Sequence, residues 1–382
     1  MTRSTNPEGQ NMMMAGTFDM RALRRAARGL LGTALGVAAL LAAAPRPGSA
    51  QPAPPTASAP APDAVDAIRA RGHVLCGVAP AAPGFAVQGA RGAWQGLDAD
   101  FCRGIASAIL GDPARVRFVP IPAADRFARL RAGEVDLLAR NTTWTLEREA
   151  GEGVIFPATT YYDGQGFLVR RERGVTRVQQ LEGATICVEG GTTSEQQLVE
   201  HMTRAGLRIN LARAPSGEAA RAAFLAQQCD ALTGDSTGLA GFMAQQGSRA
   251  SRFALLFEVI SKEPLGPVLR QEDLRLSRIA RWTHFVMLTA EEMGLDSTVV
   301  EQLRTGPAQN LAAASQDVQR LFGRQGRSGE MLGLDPDWGA RVIRQVGNYR
   351  EIWERNIGPL GVERGMNLLW NQGGLQFSPP IR

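Results

Sequence analysis

Two stretches of the chain share one pattern, in which short apolar runs of strand length alternate with segments whose apolar residues recur every three or four positions. In the first, HVLCGV (73–78) reads as a strand and DADFCRGIASAIL (98–110) as a helix with Phe101, Ile105, Ala108 and Ile109 on one face. RVRFVPI (115–121) follows as a strand, AADRFARLRAG (123–133) as a helix closed by Gly133, and EVDLLAR (134–140) as a strand. In the second, ATICVEG (184–190), RINLAR (208–213) and CDALTGD (229–235) read as strands, separated by the helices TSEQQLVEHMTRAG (193–206) and GEAARAAFLAQQ (217–228). The order β-α-β-α-β is the same in both. It predicts an α/β protein with a parallel sheet in each half and ligand sites beyond the carboxyl ends of the strands.

Between the halves, residues 165–170 read as a strand leaving the first lobe, and FALLFEVISKEPLGPVLR (253–270) as the return, so two crossings form a hinge. From Leu274 onward the pattern is mostly helical, RLSRIARWTHFVMLTAEEMG is amphipathic, and the economy of crossings assigns this part to the first lobe. The expected division is 63–168 for the first part of lobe 1, 169–262 for lobe 2, and 263–382 for the second part of lobe 1 with a C-terminal extension. The tail from Gly358 is Gly- and Pro-rich and is expected to wrap the surface.

The N-terminus has a different character. Arg21, Arg24, Arg25 and Arg28 precede an apolar stretch, Gly29 to Ala44, and Gly48-Ser49-Ala50 offers small residues for cleavage. Residues 1–50 therefore read as a signal peptide and the chain as exported, since the apolar run is shorter than the ~20 residues a spanning helix needs. QPAPPTASAPAP (51–62) reads as a Pro/Ala-rich linker. Among 382 residues, 44% are hydrophobic and 21% charged, with 42 basic against 37 acidic side chains scattered singly or in pairs, which disfavours disorder and nucleic-acid binding. Four cysteines in an exported chain, none in C-x-x-C spacing, point to two disulfides. Of the three connectivities, Cys76 with Cys102 and Cys187 with Cys229 keeps each bond within one half. His73, His201 and His284 are isolated, so no metal site is expected.

The segment RNTTWTLERE (140–149) follows the last strand of the first repeat, and EGGTTSEQQ (189–197) and TGDSTGLAG (233–241) follow strands of the second, so all three face the expected cleft. The Gly-Gly-Thr-Thr turn feeds a helix N-terminus, which favours an anion. An arginine for a carboxylate on one side and Asp235 for an ammonium on the other describe the recognition of a zwitterion, an α-amino acid.

RNTTWTLERE, TYYDGQGFLVR, CVEGGTTSE, ISKEPLGPVLRQ, VGNYREIWERN and LLWNQGGLQFSPPIR together resemble the general L-amino acid-binding periplasmic proteins of ABC transporters, solute-binding family 3. The resemblance spans essentially everything after the linker and implies the two-lobed type II periplasmic binding protein fold. It implies that Arg148 binds the ligand carboxylate with help from Thr193, that Asp235 binds the α-ammonium, and that Asn141 and Thr143 add hydrogen bonds. Thr192 and Trp144 complete the candidate set, with helix capping the alternative for Thr192 and core packing for Trp144. No cofactor is implied. An inner-membrane permease is the implied partner, and a monomer the implied state. Shorter relatives carry an acidic residue and an aromatic platform after the first strand, where this chain has Ala79 and Ala82, so broad specificity is expected.

Two enzyme readings compete. Gly234-Asp235-Ser236-Thr237-Gly238 matches G-x-S-x-G, the motif of a serine hydrolase nucleophile, but the one downstream histidine, His284, lies inside an amphipathic helix. A dehydratase-like enzyme on the same fold is the other alternative. The expectation is a binding protein with no catalytic residues.

Overall fold

The computed structural model describes residues 63–382, so the expected signal peptide and linker lie outside the described residues. The first segment contains α1 (Ala64–Arg71), β1 (Val74–Val78), the short pair β2 (Val87–Gln88) and β3 (Trp94–Gln95), α2 (Leu97–Leu110), β4 (Val116–Pro120) and α3 (Arg126–Arg131). β5 (Leu137–Thr143), α4 (Leu146–Gly151), β6 (Val154–Ile155) and β7 (Tyr161–Asp163) complete it. The second segment runs β8 (Gln165–Arg170), β9 (Thr185–Glu189), α5 (Thr193–Arg204), β10 (Asn210–Ala214), α6 (Gly217–Leu225), β11 (Ala231–Asp235), α7 (Ser236–Ala244) and β12 (Phe253–Leu255). The return strand β13 (Glu263–Arg270) leads into α8 (Leu274–Glu292), α9 (Ser297–Thr305), α10 (Ala308–Ala312), α11 (Gln316–Leu321), α12 (Ser328–Leu332), α13 (Trp338–Val346) and α14 (Tyr349–Asn356).

The strands form two principal sheets, ordered β4-β1-β5-β13-β6, with β7 also on β13, and β10-β9-β11-β8-β12. In each, the first three strands of the order are parallel and an antiparallel strand follows. The two repeats read from the sequence therefore build the same half-sheet twice. This is the two-lobed periplasmic binding protein architecture.

Local chemistry sets the ends of the elements. Asp63 accepts from the Val65 amide (2.9 Å) to start α1, while Thr192 and Ser216 accept from Glu195 and Ala219 to start α5 and α6. Where the chain enters α2, Gly96 holds φ 130°, and a Cβ there would sit 2.0 Å from the Phe85 carbonyl oxygen, so only glycine fits. In the second lobe, consecutive β8 residues point to opposite faces. Phe167 and Val169 pack with Ile186, Leu198 and Met202, whereas Leu168 packs with Phe224, Leu232 and Phe242. The first lobe has a larger core, in which β1 and β5 pack with α2, α8, α13 and α14. The C-terminal helices belong to this lobe through bonds such as Ser107 Oγ to Gln345 Oε1 (2.7 Å) and Arg355 Nε to Asp100 Oδ2 (2.8 Å).

The first crossing differs from the expected boundary at residue 168. All of β8 pairs into the second sheet, with Gln165 opposite Asp235 and Val169 opposite Ala231, so the chain crosses at Gly164. Apolar content marks 165–170 as a strand but does not say which sheet it joins. The return crossing spans the residues between β12 and β13. Both disulfides join the cysteines expected, Cys76 to Cys102 and Cys187 to Cys229.

Candidate functional site

The strand β5 runs three residues further than its apolar pattern suggests, through Asn141, Thr142 and Thr143, before Thr145 caps the short helix α4. Its polar end, the β9–α5 turn and the end of β11 converge on a cavity of about 140 Å³ between the lobes, several times the space one water needs. The first lobe contributes Arg126, Arg140, Asn141, Thr143 and Arg148 to the wall, and the second contributes Glu189, Thr192, Thr193, Arg221 and Asp235.

The lobes touch across this space. Asn141 Nδ2 donates to Asp235 Oδ2 (2.8 Å), the Thr143 and Thr193 hydroxyls meet at 3.2 Å, and Arg140 Nη2 reaches Glu189 Oε1 (3.4 Å). Arg221 Nη2 donates to the Ala81 carbonyl (2.7 Å), and Tyr161 OH meets Thr237 Oγ1 (2.7 Å). Glu263, at the start of β13, is buried and accepts from three hydroxyls, those of Ser261 (2.6 Å), Thr143 (2.5 Å) and Thr193 (3.2 Å).

Arg148 lies in the first turn of α4. Its Nη1 donates to the Thr143 carbonyl (2.8 Å), which is its one side-chain hydrogen bond among the described residues, and its guanidinium lies 5.9 Å from the centre of the Phe127 ring. Burial pushes its pKa down, opposed by Glu263 and Asp235. Asp235 occupies the residue before α7 but makes no capping bond. Burial pushes its carboxyl well above the usual range, and the neighbouring Asp163 and Glu263 push the same way. A cation brought beside it would reverse that shift.

Asn141 has φ 37°, a conformation that asparagine tolerates better than most side chains. The twist sends its backbone N–H to Asp98 Oδ2 (2.7 Å) and its side chain across to Asp235, while its Oδ1 is buried without a partner. Thr192 is a cap, accepting from the Glu195 amide and donating to the Glu189 carbonyl (2.7 Å), and it also lines the cavity. Trp144 is a correction. It stacks on Phe156 (5.6 Å, 6°), donates Nε1 to Glu149 (2.8 Å) and is not among the cavity-lining residues. Its place in an otherwise polar stretch suggested the cleft, but just past the end of β5 it packs, half-buried, against the cluster of Phe127, Leu130 and Phe156.

Arg126, Arg140, Glu189, Glu263 and Asp98 were not singled out from the sequence. Arg140 opens the RNTT stretch and was within reach of that argument, but Arg126 lies in a helix pattern that reads as solvated surface. Asp98 shows how deep the polar network goes. Burial raises its pKa to about 7 despite the Asn141 amide and the charge of Arg140. The folded chain thus holds this proton more tightly than an unfolded chain does, where the value is near 3.8. Stability from this group is present below about pH 4 and is lost as the pH rises through about 7, at no more than about 1.4 kcal/mol per pH unit. Ligand-free Asp98→Asn protein should therefore gain melting temperature relative to wild type between pH 5 and pH 8, and parallel pH profiles would exclude this account.

The serine hydrolase reading finds no support here. Ser236 Oγ donates to the Gly164 carbonyl (2.8 Å) and is not part of the cavity wall. His284 is buried, bonded to Gln376 Oε1 (3.2 Å), and burial lowers its pKa to about 4. Among the described residues no group of three or more His, Cys, Asp or Glu side chains could hold a metal ion.

Relatives resemble this chain over most of its length. The general L-amino acid-binding periplasmic protein AapJ of Rhizobium johnstonii is 42% identical over 82% of this chain and 92% of its own length. The glutamate/glutamine/aspartate/asparagine-binding protein BztA of Rhodobacter capsulatus is 40% identical over 83% of this chain and 93% of its own. The structure of an ABC transporter periplasmic binding protein from Brucella ovis with glutathione bound matches with a TM-score of 0.79 and 41% identity, covering 84% of this chain and 99% of that one. Residues 74–319 match the family described as bacterial extracellular solute-binding proteins, family 3, and the chain belongs to that family.

Proposed function

We propose that this protein captures L-amino acids in the cleft, with broad side-chain tolerance, and delivers them to an ABC transporter permease in the inner membrane. The observation that carries the proposal is the pairing across one cavity of Arg148 on the first lobe with Asp235 and the α5 N-terminus on the second. Arg148 takes the ligand carboxylate, with Thr143 and Thr193 beside it, and Asp235 takes the ammonium, with the unpartnered Asn141 Oδ1 as a further acceptor. A ligand that touches both lobes stabilises the closed arrangement over the open one by its differential contacts, which is the whole of the mechanism. No covalent step is required of the protein. Ala79 and Ala82, where shorter relatives carry an acid and an aromatic ring, leave the side-chain end of the cleft without a steric or charge filter of that kind. The names of AapJ and BztA support the amino-acid class. The arginine-rich, apolar N-terminus and the family's extracellular description support export to the periplasm, where the protein would act as a monomer.

The test is calorimetric titration of refolded, ligand-stripped protein against a panel of L-amino acids, with D-enantiomers and amino-acid amides as controls. Saturable one-to-one binding of several L-amino acids, lost with the amides, is the expected result. Absence of binding to all of them by folded protein would overturn the proposal.

A further inference from the structure

We propose that Asp163, at the crossing between the lobes, is a positioning residue of the ammonium site: it caps α7 in place of Asp235 and so leaves the Asp235 carboxylate free to face the cavity. This rests on the assignment of Asp235 to the ligand ammonium and adds the group that keeps it available.

Asp235 stands at the N-cap of α7, where an aspartate ordinarily turns its carboxylate back onto an amide of the first turn. It makes no such bond. Its Oδ2 accepts from Asn141 Nδ2 (2.8 Å) instead, and the residue lines the cavity. The first amides of the helix are met from the crossing. Ser236 N–H donates to the Gly164 carbonyl (2.9 Å), and Thr237 N–H donates to Asp163 Oδ2 (3.3 Å). Asp163 Oδ1 accepts from the Gly164 amide (2.8 Å), so both of its oxygens hold backbone at the bend of the chain. Tyr161 OH, two residues earlier on β7, meets the Thr237 hydroxyl (2.7 Å). A strand of the first lobe thus supplies the cap that a helix of the second lobe would otherwise draw from its own Asp235.

Asp163 also acts through its charge. It is buried and lies in register with Glu263 of β13. Burial raises its pKa and Glu263 adds to the rise, opposed by the bonds from Gly164 and Thr237. Asp235 is faced by Asp163 and Tyr161 on β7, Glu263 on β13 and Glu189 on β9, and by Arg140 on β5 and Arg148 on α4. Arg140 is paired with Glu189, and Arg148 donates to the Thr143 carbonyl. A proton on Asp235 relieves the crowding of carboxylates in the empty cleft, and a ligand ammonium takes its place in the complex. Asp235 therefore holds its proton more tightly without ligand than with it. Binding releases a proton, and affinity is full above the ligand-free pKa of this group and falls as the pH drops through it.

The experiment compares wild type, Asp163→Ala and Asp163→Asn by calorimetric titration with the L-amino acid that wild type binds most tightly in the panel above. Titrations run from pH 5 to pH 8 in buffers of high and low ionisation enthalpy, which count the protons exchanged. Asp163→Ala removes cap and charge together, and its affinity at pH 8 should fall by at least about tenfold as Asp235 turns back onto α7. Asp163→Asn keeps a capping oxygen without the charge. It should recover most of that loss, release fewer protons at pH 7 than wild type and keep its affinity to lower pH. Ligand-free melting supplies a readout independent of any ligand. Asp235→Ala should hold or raise the melting temperature in the wild-type background, where that carboxylate caps nothing. In the Asp163→Ala background, where it has taken over the cap, the same substitution should lower it by at least about 2 °C. Equal melting shifts from Asp235→Ala in the two backgrounds would overturn the inference and leave amino-acid binding in place. A wild-type pH profile and proton count in Asp163→Asn would do the same. Wild type that binds no L-amino acid would end the amino-acid reading and, with it, the ammonium site that Asp163 serves.

Discussion

Arg148→Ala is expected to lower the affinity for every L-amino acid the protein binds by at least about 30-fold, the effect of removing one partner from a desolvated, hydrogen-bonded charge pair. The size of the loss follows from where the guanidinium sits. It is half-buried over Phe127 and tethered to the Thr143 carbonyl, so its position is largely set before ligand arrives and little rotamer freedom is lost on binding. Without it, a ligand carboxylate would be desolvated beside Glu263 and Asp235 with less positive charge to meet it. The ligand-free protein should behave differently. Burial first and then the charge of Arg148 push down the pKa of Arg126, and α4 is a short helix with no buried residue and its own Thr145 cap. Thermal melting of ligand-free Arg148→Ala should therefore stay within about 3 °C of wild type, since the loss of one half-buried side chain's hydrogen bond and ring contact is offset by relief of repulsion between the two arginines. Calorimetry and melting on the same preparation separate the two effects, and retained affinity would refute the carboxylate assignment.

The second large effect concerns stability. Replacing Cys187 and Cys229 together by serine should cost the second lobe about 4 kcal/mol, the chain-entropy value for a loop whose ends are 42 residues apart. Cys187 is in β9 and Cys229 precedes β11, so the bond closes the whole strand-helix-strand-helix unit that carries Glu189, Thr192 and Thr193. The lobe it closes divides its apolar residues between two small clusters on the two faces of the sheet. The first lobe has a core several times larger, so its own bond, Cys76 to Cys102, closes the shorter loop of 26 residues in the better-supported half. Calorimetric melting of ligand-free Cys187→Ser/Cys229→Ser should show the second lobe unfolding first, with its transition lowered by roughly 20 °C. A single transition unchanged from wild type would show that the bond contributes nothing to the folded lobe's stability. Wild type melted in reductant should reproduce the double variant.

What could be read without coordinates is what short-range chemistry controls. Apolar periodicity, Gly133 as the close of a helix and Thr192 as a capping position are each decided by residues a few positions apart. From these the two β-α-β-α-β repeats follow, and the repeats divide the cysteines into the bonded pairs. The positions of RNTT and of the Gly-Gly-Thr-Thr turn at strand ends also follow, because a parallel sheet with helical crossovers leaves its binding groups there.

Tertiary structure decided which of those groups meet and what they face. Asn141 and Asp235 are 94 residues apart and Thr143 and Glu263 are 120 apart, and no local pattern links either pair. The crossing at Gly164 rather than at 168 depends on β8 pairing with β11, a choice between two sheets that the strand's own residues do not encode. Trp144 and Arg126 show the same limit in opposite directions. A tryptophan in a polar stretch stacks on Phe156 away from the cavity, and an arginine in an amphipathic helix pattern proves to be a buried cation in its wall. The sequence by itself determined the elements, their repetition and the strand ends that carry polar groups. The packing of the two lobes determined burial, and burial turns those polar groups into a site by removing the water that would otherwise screen their charges.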